Sequence, residues 1–251
     1  MKKLFYLMRA HIRIIALNDF KGGIDDYTRA IEINPEYAAA YINRGVEKVK
    51  LQDYKGALDD YTKAIEINPK HANVYYNRGE AKVNLQDYDG AVDDYTKAIE
   101  IKPKGYDVYI NRGVAKVNLQ DYDGAIDDFT KATEANPKYA NAYLNRGLAK
   151  NALKDYKGAI DDFTRAIEII PKHEEAYLNR GVAKDALKDH NGAIDDFTKA
   201  IKIKPKYAAA YYNRGSVKIV LGQKDSARMD LIKAGELGIP MAYEAIKRFG
   251  C

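Results

Sequence analysis

The residues that ordinarily supply nucleophiles or soft metal ligands are few in this chain: His11, His71, His173 and His190, Ser216 and Ser226, and the single cysteine Cys251. The histidines have no metal-ligand spacing among themselves or with Cys251. The serines lack the context of an activated nucleophile, and no glycine-rich loop is present to cradle a phosphate. Hence no catalytic residue, no metal site and no cofactor is expected, and the chain reads as a non-enzyme. Carboxylates are paired, with Asp-Asp at 25–26, 59–60, 93–94, 127–128, 161–162 and 195–196. Such pairs can do acid–base work or bind a cation, but six copies at equal spacing argue for a structural task. Arg44 and Lys48, four apart and repeated down the chain, suit a ladder of Arg–Asp bridges between adjacent helices. The partner is open at this stage: Arg112 could reach Asp94 in the preceding repeat or Asp128 in its own. The remaining recurrent polar group is an asparagine, at Asn43, Asn77, Asn111, Asn145, Asn179 and Asn213. Its amide offers both an acceptor and donors, so it can meet the N–H and C=O of another backbone without reading side chains.

These residues recur because the whole chain does. Pro35, Pro69, Pro103, Pro137, Pro171 and Pro205 stand 34 apart, as do the Asn-Arg-Gly triplets. A fixed period of this size marks a stacked array. With Ala38 as the start of a unit, the chain divides into 4–37, 38–71, 72–105, 106–139, 140–173, 174–207 and 208–241, with no insertion, and residues 240–251 form a closing helix. Within 38–71, Tyr41, Gly45, Val49 and Leu51 mark one amphipathic helix, and Ala57, Leu58, Tyr61, Ala64 and Ile65 a second. Recurrence at three and four residues is helical and excludes alternating strands. The polar stretch 52–56 turns between them, Asp53 suits the N-cap of the second helix, and Asn68 before Pro69 is pushed out of the helical region. A pair of this size cannot bury its apolar face alone, so neighbours must stack. The expected fold is all-α, one array of antiparallel helix pairs spanning 4–241, with 4–37 and 208–241 degenerate. In the first window His11 stands in the glycine position and Gly23 in the alanine position.

The pattern Tyr41…Gly45, Asp53-Tyr-x-x-Ala57, Tyr61, Ala64 and Pro69 resembles the tetratricopeptide repeat, over residues 4–241. The Arg44 and Lys48 columns depart from that family's usual residues. The stretch 233–238 is similar to Sel1-like repeats. The resemblance implies a right-handed superhelix whose first helices line a concave groove. It places the asparagine column there, with Ile42, Tyr76, Ile110, Leu144, Leu178 and Tyr212 beside it. It further implies a scaffold or adaptor that binds an extended peptide or protein segment along an asparagine ladder. Each hydrogen bond contributes a net ~1 kcal/mol, and ordering a peptide costs roughly 1–2 kcal/mol per residue. Affinity must therefore come from apolar side chains, and roughly micromolar binding is expected. The groove positions that would clamp a chaperone's C-terminal carboxylate hold apolar or acidic residues, Asp107 and Glu175 among them, so that partner is not expected.

The net charge of +5 invites a nucleic-acid reading. The extra lysines, such as Lys70, Lys138, Lys63 and Lys97, fall on outer positions, which weakens it. A helical-repeat protein for single-stranded RNA is the runner-up, and a regulatory or assembly fragment of a larger complex is a third reading. The longest apolar run, 37–42, is far short of the ~20 residues that span a membrane. Arg9, His11 and Arg13 interrupt the only candidate leader, and a cytoplasmic location is expected. The first helix carries Phe5, Met8, Ile12 and Ile15 away from its core face. That edge suits self-association or contact with further repeats.

Overall fold

The computed structural model describes residues 2–103 and 105–250, and all regular structure among them is helical. The helices are α1 (Lys2–Leu17), α2 (Phe20–Ile33), α3 (Ala38–Lys50), α4 (Tyr54–Ile67), α5 (Ala72–Asn84), α6 (Tyr88–Ile101), α7 (Tyr106–Asn118) and α8 (Tyr122–Ala135). They continue as α9 (Ala140–Ala152), α10 (Tyr156–Ile169), α11 (Glu174–Ala186), α12 (His190–Ile203), α13 (Ala208–Val220), α14 (Lys224–Glu236) and α15 (Met241–Phe249). The fold is the all-α array of tandem helix pairs that the 34-residue period predicts. Two compact units divide the chain, residues 1–124 and 125–251, with the boundary inside α8. In the first unit α1 packs on α2, α3 on α4 and α5 on α6, and each pair also touches the next. In the second, α9 packs on α10, α11 on α12 and α13 on α14, with α15 closing against α14.

The turn inside each pair is shorter than residues 52–56 suggest. After α3 the amide of Gln52 donates to Val49 O and that of Asp53 to Lys48 O. This pairing satisfies the last carbonyls of a helix. It requires a left-handed residue, and Gln52 sits at φ 60°. Asp53 then caps α4, its carboxylate accepting from Gly56 N at 3.0 Å. One residue thus ends the turn and begins the next helix. The same geometry recurs at Gln86, Gln120, Lys154 and Lys188.

Close approach of the two helices depends on the Asn-Arg-Gly glycine. A Cβ on Gly45 would lie 2.6 Å from Tyr61 Cε1, and one on Gly147 2.7 Å from Phe163 Cε1. The aromatic ring of the second helix fills the space a side chain would take, and Tyr27, Tyr61, Tyr95, Phe129, Phe163 and Phe197 are all fully buried.

The first pair corrects the sequence reading. His11 does not take the glycine's place; Ala10, fully buried, does. In α1 the pattern Tyr6…Arg9-Ala10…Arg13 plays the part of Tyr41…Arg44-Gly45…Lys48. Arg9 bonds Asp26 and lies over the Tyr6 ring, as Arg44 bonds Asp60 and lies over Tyr41. The turn absorbs the difference: Asp19 N donates to Arg13 O, six residues back, where Asp53 N reaches Lys48 O, five back. One extra residue therefore lies between the two motifs of the first pair.

Candidate functional site

Two columns of side chains, adjacent in sequence, separate the structural role from the candidate binding role. The arginine column is locked into place. Arg44 presents Nε and Nη2 to the carboxylate of Asp60 at 3.0 and 2.6 Å, while its Nη1 donates to Thr28 Oγ1 at 2.9 Å. It therefore joins the second helix of its own pair and the second helix of the pair before. Arg78, Arg146, Arg180 and Arg214 repeat the arrangement with Asp94, Asp162, Asp196 and Asp230. The lysine one turn later completes it, since Lys48 Nζ lies 2.8 Å from Asp60 Oδ2 and donates to Gly56 O. Each guanidinium also stacks near the tyrosine three residues earlier, at 5.4 Å for Arg146 over Tyr143.

The open question of pairing is thus settled within the repeat: Asp94 is held by Arg78 and Lys82. In the preceding pair Arg112 reaches Thr96 at 2.9 Å. Of each Asp-Asp, the second is buried, as at Asp60, Asp94 and Asp162, and the first is exposed. A carboxylate removed from water needs its charge and lone pairs met, and here two cations meet them. The second aspartate of each pair is structural, held by cations of its own repeat.

The asparagine column is half-buried throughout and mostly unengaged. Asn43, Asn77, Asn145 and Asn213 make no side-chain hydrogen bond among the described residues. Asn111 donates to Tyr76 Oη at 2.9 Å, and Asn179 donates to Glu175 O on its own helix at 2.9 Å. In the first unit Ile42, Tyr76 and Asn77 line one cavity of about 480 Å³. Asn111 lines a smaller one of about 160 Å³ with Glu80, Val83 and Val114. Tyr76 Oη accepts from the amide of Asn111 at 2.9 Å, and the Glu80 carboxyl lies near the same hydroxyl. Burial, with the nearby Glu80 charge, holds the Tyr76 hydroxyl well above the usual phenol range. Glu80 is exposed as a residue, yet its carboxyl is raised by desolvation, with the Tyr76 hydrogen bond acting in the opposite direction.

The apolar members of the predicted site divide. Ile42, Tyr76, Leu178 and Tyr212 are half-buried. Ile110 and Leu144, expected in the groove wall, are buried at 8% and 5% exposure, and Leu144 belongs to a core cluster with Phe163 and Ala176. The four histidines are scattered, His190 bonding Asp185 at 2.8 Å and His11 approaching Tyr27. Cys251 lies outside the described residues.

Stacked helix pairs joined by a locked arginine column define a helical-repeat protein. The sequence matches the tetratricopeptide repeat at residues 38–71, 72–104 and 174–207, and again at 110–174, well over half of its length. The chain belongs to the tetratricopeptide-repeat family. No curated protein matches it significantly along its sequence. Among solved structures it is similar to YrrB, described as a tetratricopeptide protein with an unusual peptide-binding site. The identity is 28% and the TM-score 0.66, covering 73% of this chain and 95% of that one. It is also similar in fold to a tetratricopeptide repeat protein from Parabacteroides merdae, with 22% identity and TM-score 0.71 over 100% and 99% of the chains. MamA from Desulfovibrio magneticus shares the fold at 22% identity and TM-score 0.65, over 68% and 96%. No helix among the described residues is long and apolar enough to cross a membrane.

Proposed function

We propose that this protein is a non-enzymatic scaffold or adaptor whose first helices bind an extended peptide or protein segment through the asparagine column and the apolar side chains beside it. The observation that carries this reading is the contrast within each Asn-Arg pair. The arginines are tied into the fold, while Asn43 and Asn77 in one unit and Asn145 and Asn213 in the other have amides without partners. A half-buried amide with unused donors and acceptors favours a ligand that supplies both. Peptide binding by the related YrrB supports the same use. The column is the chain's own Asn-Arg-Gly version of the repeat, and the stretch ending α14 retains its likeness to Sel1-like repeats. The arginines bound to aspartate leave less free positive charge for nucleic acid, which weighs for a peptide over RNA. A cytoplasmic scaffold without a carboxylate clamp fits these features.

The test is selection from a library of displayed random peptides. Wild-type protein is expected to enrich sequences that the Asn43, Asn77, Asn145, Asn213→Ala variant fails to hold. Equal enrichment by a folded variant would remove the asparagine column from the account. The exposed stripe on α1, with Phe5 at 58% and Ile15 at 78%, supports a second contact made by self-association. Sedimentation at rising concentration would then show a dimer that Phe5→Ser, Ile12→Ser abolishes.

A further inference from the structure

One column of the repeat is broken at a single residue. Between each proline and the following first helix stands a ring: Tyr37, His71, Tyr139, His173 and Tyr207, each in the same place of the period. At that place before α7 the residue is Gly105, which has no side chain. The cavity of about 480 Å³ opens there, lined by Ile42, Tyr76, Asn77, Lys102, Gly105 and Val108.

The chain itself shows what such a space can hold. Three repeats further on, Tyr207 occupies the counterpart position, and Lys204, the counterpart of Lys102, places its Nζ 4.7 Å from the centre of the ring. The Tyr207 hydroxyl is raised by burial and by the charges of Glu175 and Glu174, which correspond to Asn73 and Ala72. Lys3, at the start of α1, also stands over a ring of this column, 5.0 Å from the centre of Tyr37. In the cavity the cation and the apolar walls are present and the ring is absent. Asn73, also on the cavity wall, offers a neutral amide where the filled site has a carboxylate.

We propose that the Gly105 cavity is a recognition pocket for an aromatic side chain of tyrosine type, carried by the peptide that the groove binds. The ring takes the place that Tyr207 fills three repeats on, with Lys102 over its face and its hydroxyl directed to the amides of Asn73 and Asn77. This rests on the peptide-binding reading and adds the residue class that anchors the ligand. An aromatic anchor in a pocket is the kind of contact that dominates binding energy. It also gives selectivity to a groove whose asparagines read only backbone.

The pocket is tested on the full chain with p-cresol, the tyrosine side chain as a free molecule, and cyclohexanol as its non-aromatic control. The methyl resonances of Ile42 and Val108 report occupancy. Saturable shifts are expected with p-cresol and at least about fivefold weaker binding with cyclohexanol. Lys102→Ala should weaken p-cresol about two- to fivefold through loss of the cation over the ring. Gly105→Tyr should abolish binding by filling the pocket from within. That variant is sterically mild: the backbone at Gly105 (φ −91°, ψ 106°) is close to that of Tyr139 (φ −90°, ψ 91°), and a new Cβ meets only Val108 Cγ2, at 3.5 Å. Library peptides selected by wild type should share an aromatic residue that those selected by Gly105→Tyr lack. The absence of saturable shifts in the wild type, or equal shifts in Gly105→Tyr, overturns the proposal. Cresol binding without any library enrichment would sink the peptide groove and leave a ring pocket. Enrichment without cresol binding or aromatic preference would sink the pocket and leave the groove.

Discussion

Asn77 and Arg78 are neighbours in the chain, on the same turn of α5, and the fold treats them oppositely. Arg78 is fixed by Asp94 on its own second helix, by Thr62 of the preceding pair, and by the ring of Tyr75. Asn77 stands at the edge of a cavity with its amide unengaged. Arg78 helps to hold neighbouring pairs together, and Asn77 beside it is left free of internal bonds. Where the contrast blurs, it does so on the asparagine side: Asn111 is drawn to Tyr76 and Asn179 to its own helix. The asparagine column is therefore uneven, with free amides in some repeats and local bonds in others.

The contrast can be broken most sharply from the aspartate side. Asp60→Ala removes a buried carboxylate and leaves Arg44 and Lys48, both half-buried, without their counter-charge. We expect a loss of about 3–5 kcal/mol, read as a lower denaturation midpoint. Asp59→Ala, its exposed neighbour, should stay within about 0.5 kcal/mol. Equal effects from the two would deny that the second aspartate of each pair is the structural one. A double-mutant cycle of Arg78→Ala with Asp94→Ala should give a coupling energy of roughly 0.5–3 kcal/mol, and one of Arg112→Ala with Asp94→Ala much less.

Next comes the glycine that brings the helices together. Gly147→Ala would set a methyl against Phe163 and should cost about 1–3 kcal/mol by overpacking. A stability equal to wild type would mean that the helices can part without loss. Asn77→Ala, by contrast, should change stability by no more than about 0.5 kcal/mol, because it removes no internal bond.

The smallest effect concerns charge beside the cavity. The Glu80 carboxyl is raised by desolvation, so the folded state favours its protonated form. Its stabilising contribution is complete below the ordinary carboxylate pKa and is lost as pH rises through the raised value. Glu80→Gln, which keeps the shape of the side chain and removes its charge, should therefore raise Tm at pH 7, by less than about 2 °C. The gain should vanish when both proteins are melted below pH 4. A gain that persisted in acid would show that something other than the charge is responsible.

Much of this was legible in the sequence because repetition exposes its own rules. The prolines and Asn-Arg-Gly triplets placed the helix pairs, and the equal spacing of Asp-Asp marked those residues as structural. Spacing could not choose between Asp94 and Asp128 as partner of Arg112, since both lie about one helix away and only packing decides. Strict windows also misled. A single additional residue in the first pair hid the match of Tyr6, Arg9, Ala10 and Arg13 to their counterparts and put His11 in the glycine's place. Ile110 and Leu144 share a column with Ile42 and Leu178, but local packing buries them. Gly105 carries a signal of its own, as the member without a ring in the column of Tyr37, His71, Tyr139, His173 and Tyr207.

The division of labour between the two columns is tested most directly by titrating one library-selected peptide into the wild type and into Asn43, Asn77, Asn145, Asn213→Ala, with melting curves recorded beside the isotherms. At least about a tenfold loss of affinity, corresponding to some 1.4 kcal/mol, is expected at an unchanged Tm. Unchanged affinity in a variant that melts with the wild type would contradict it.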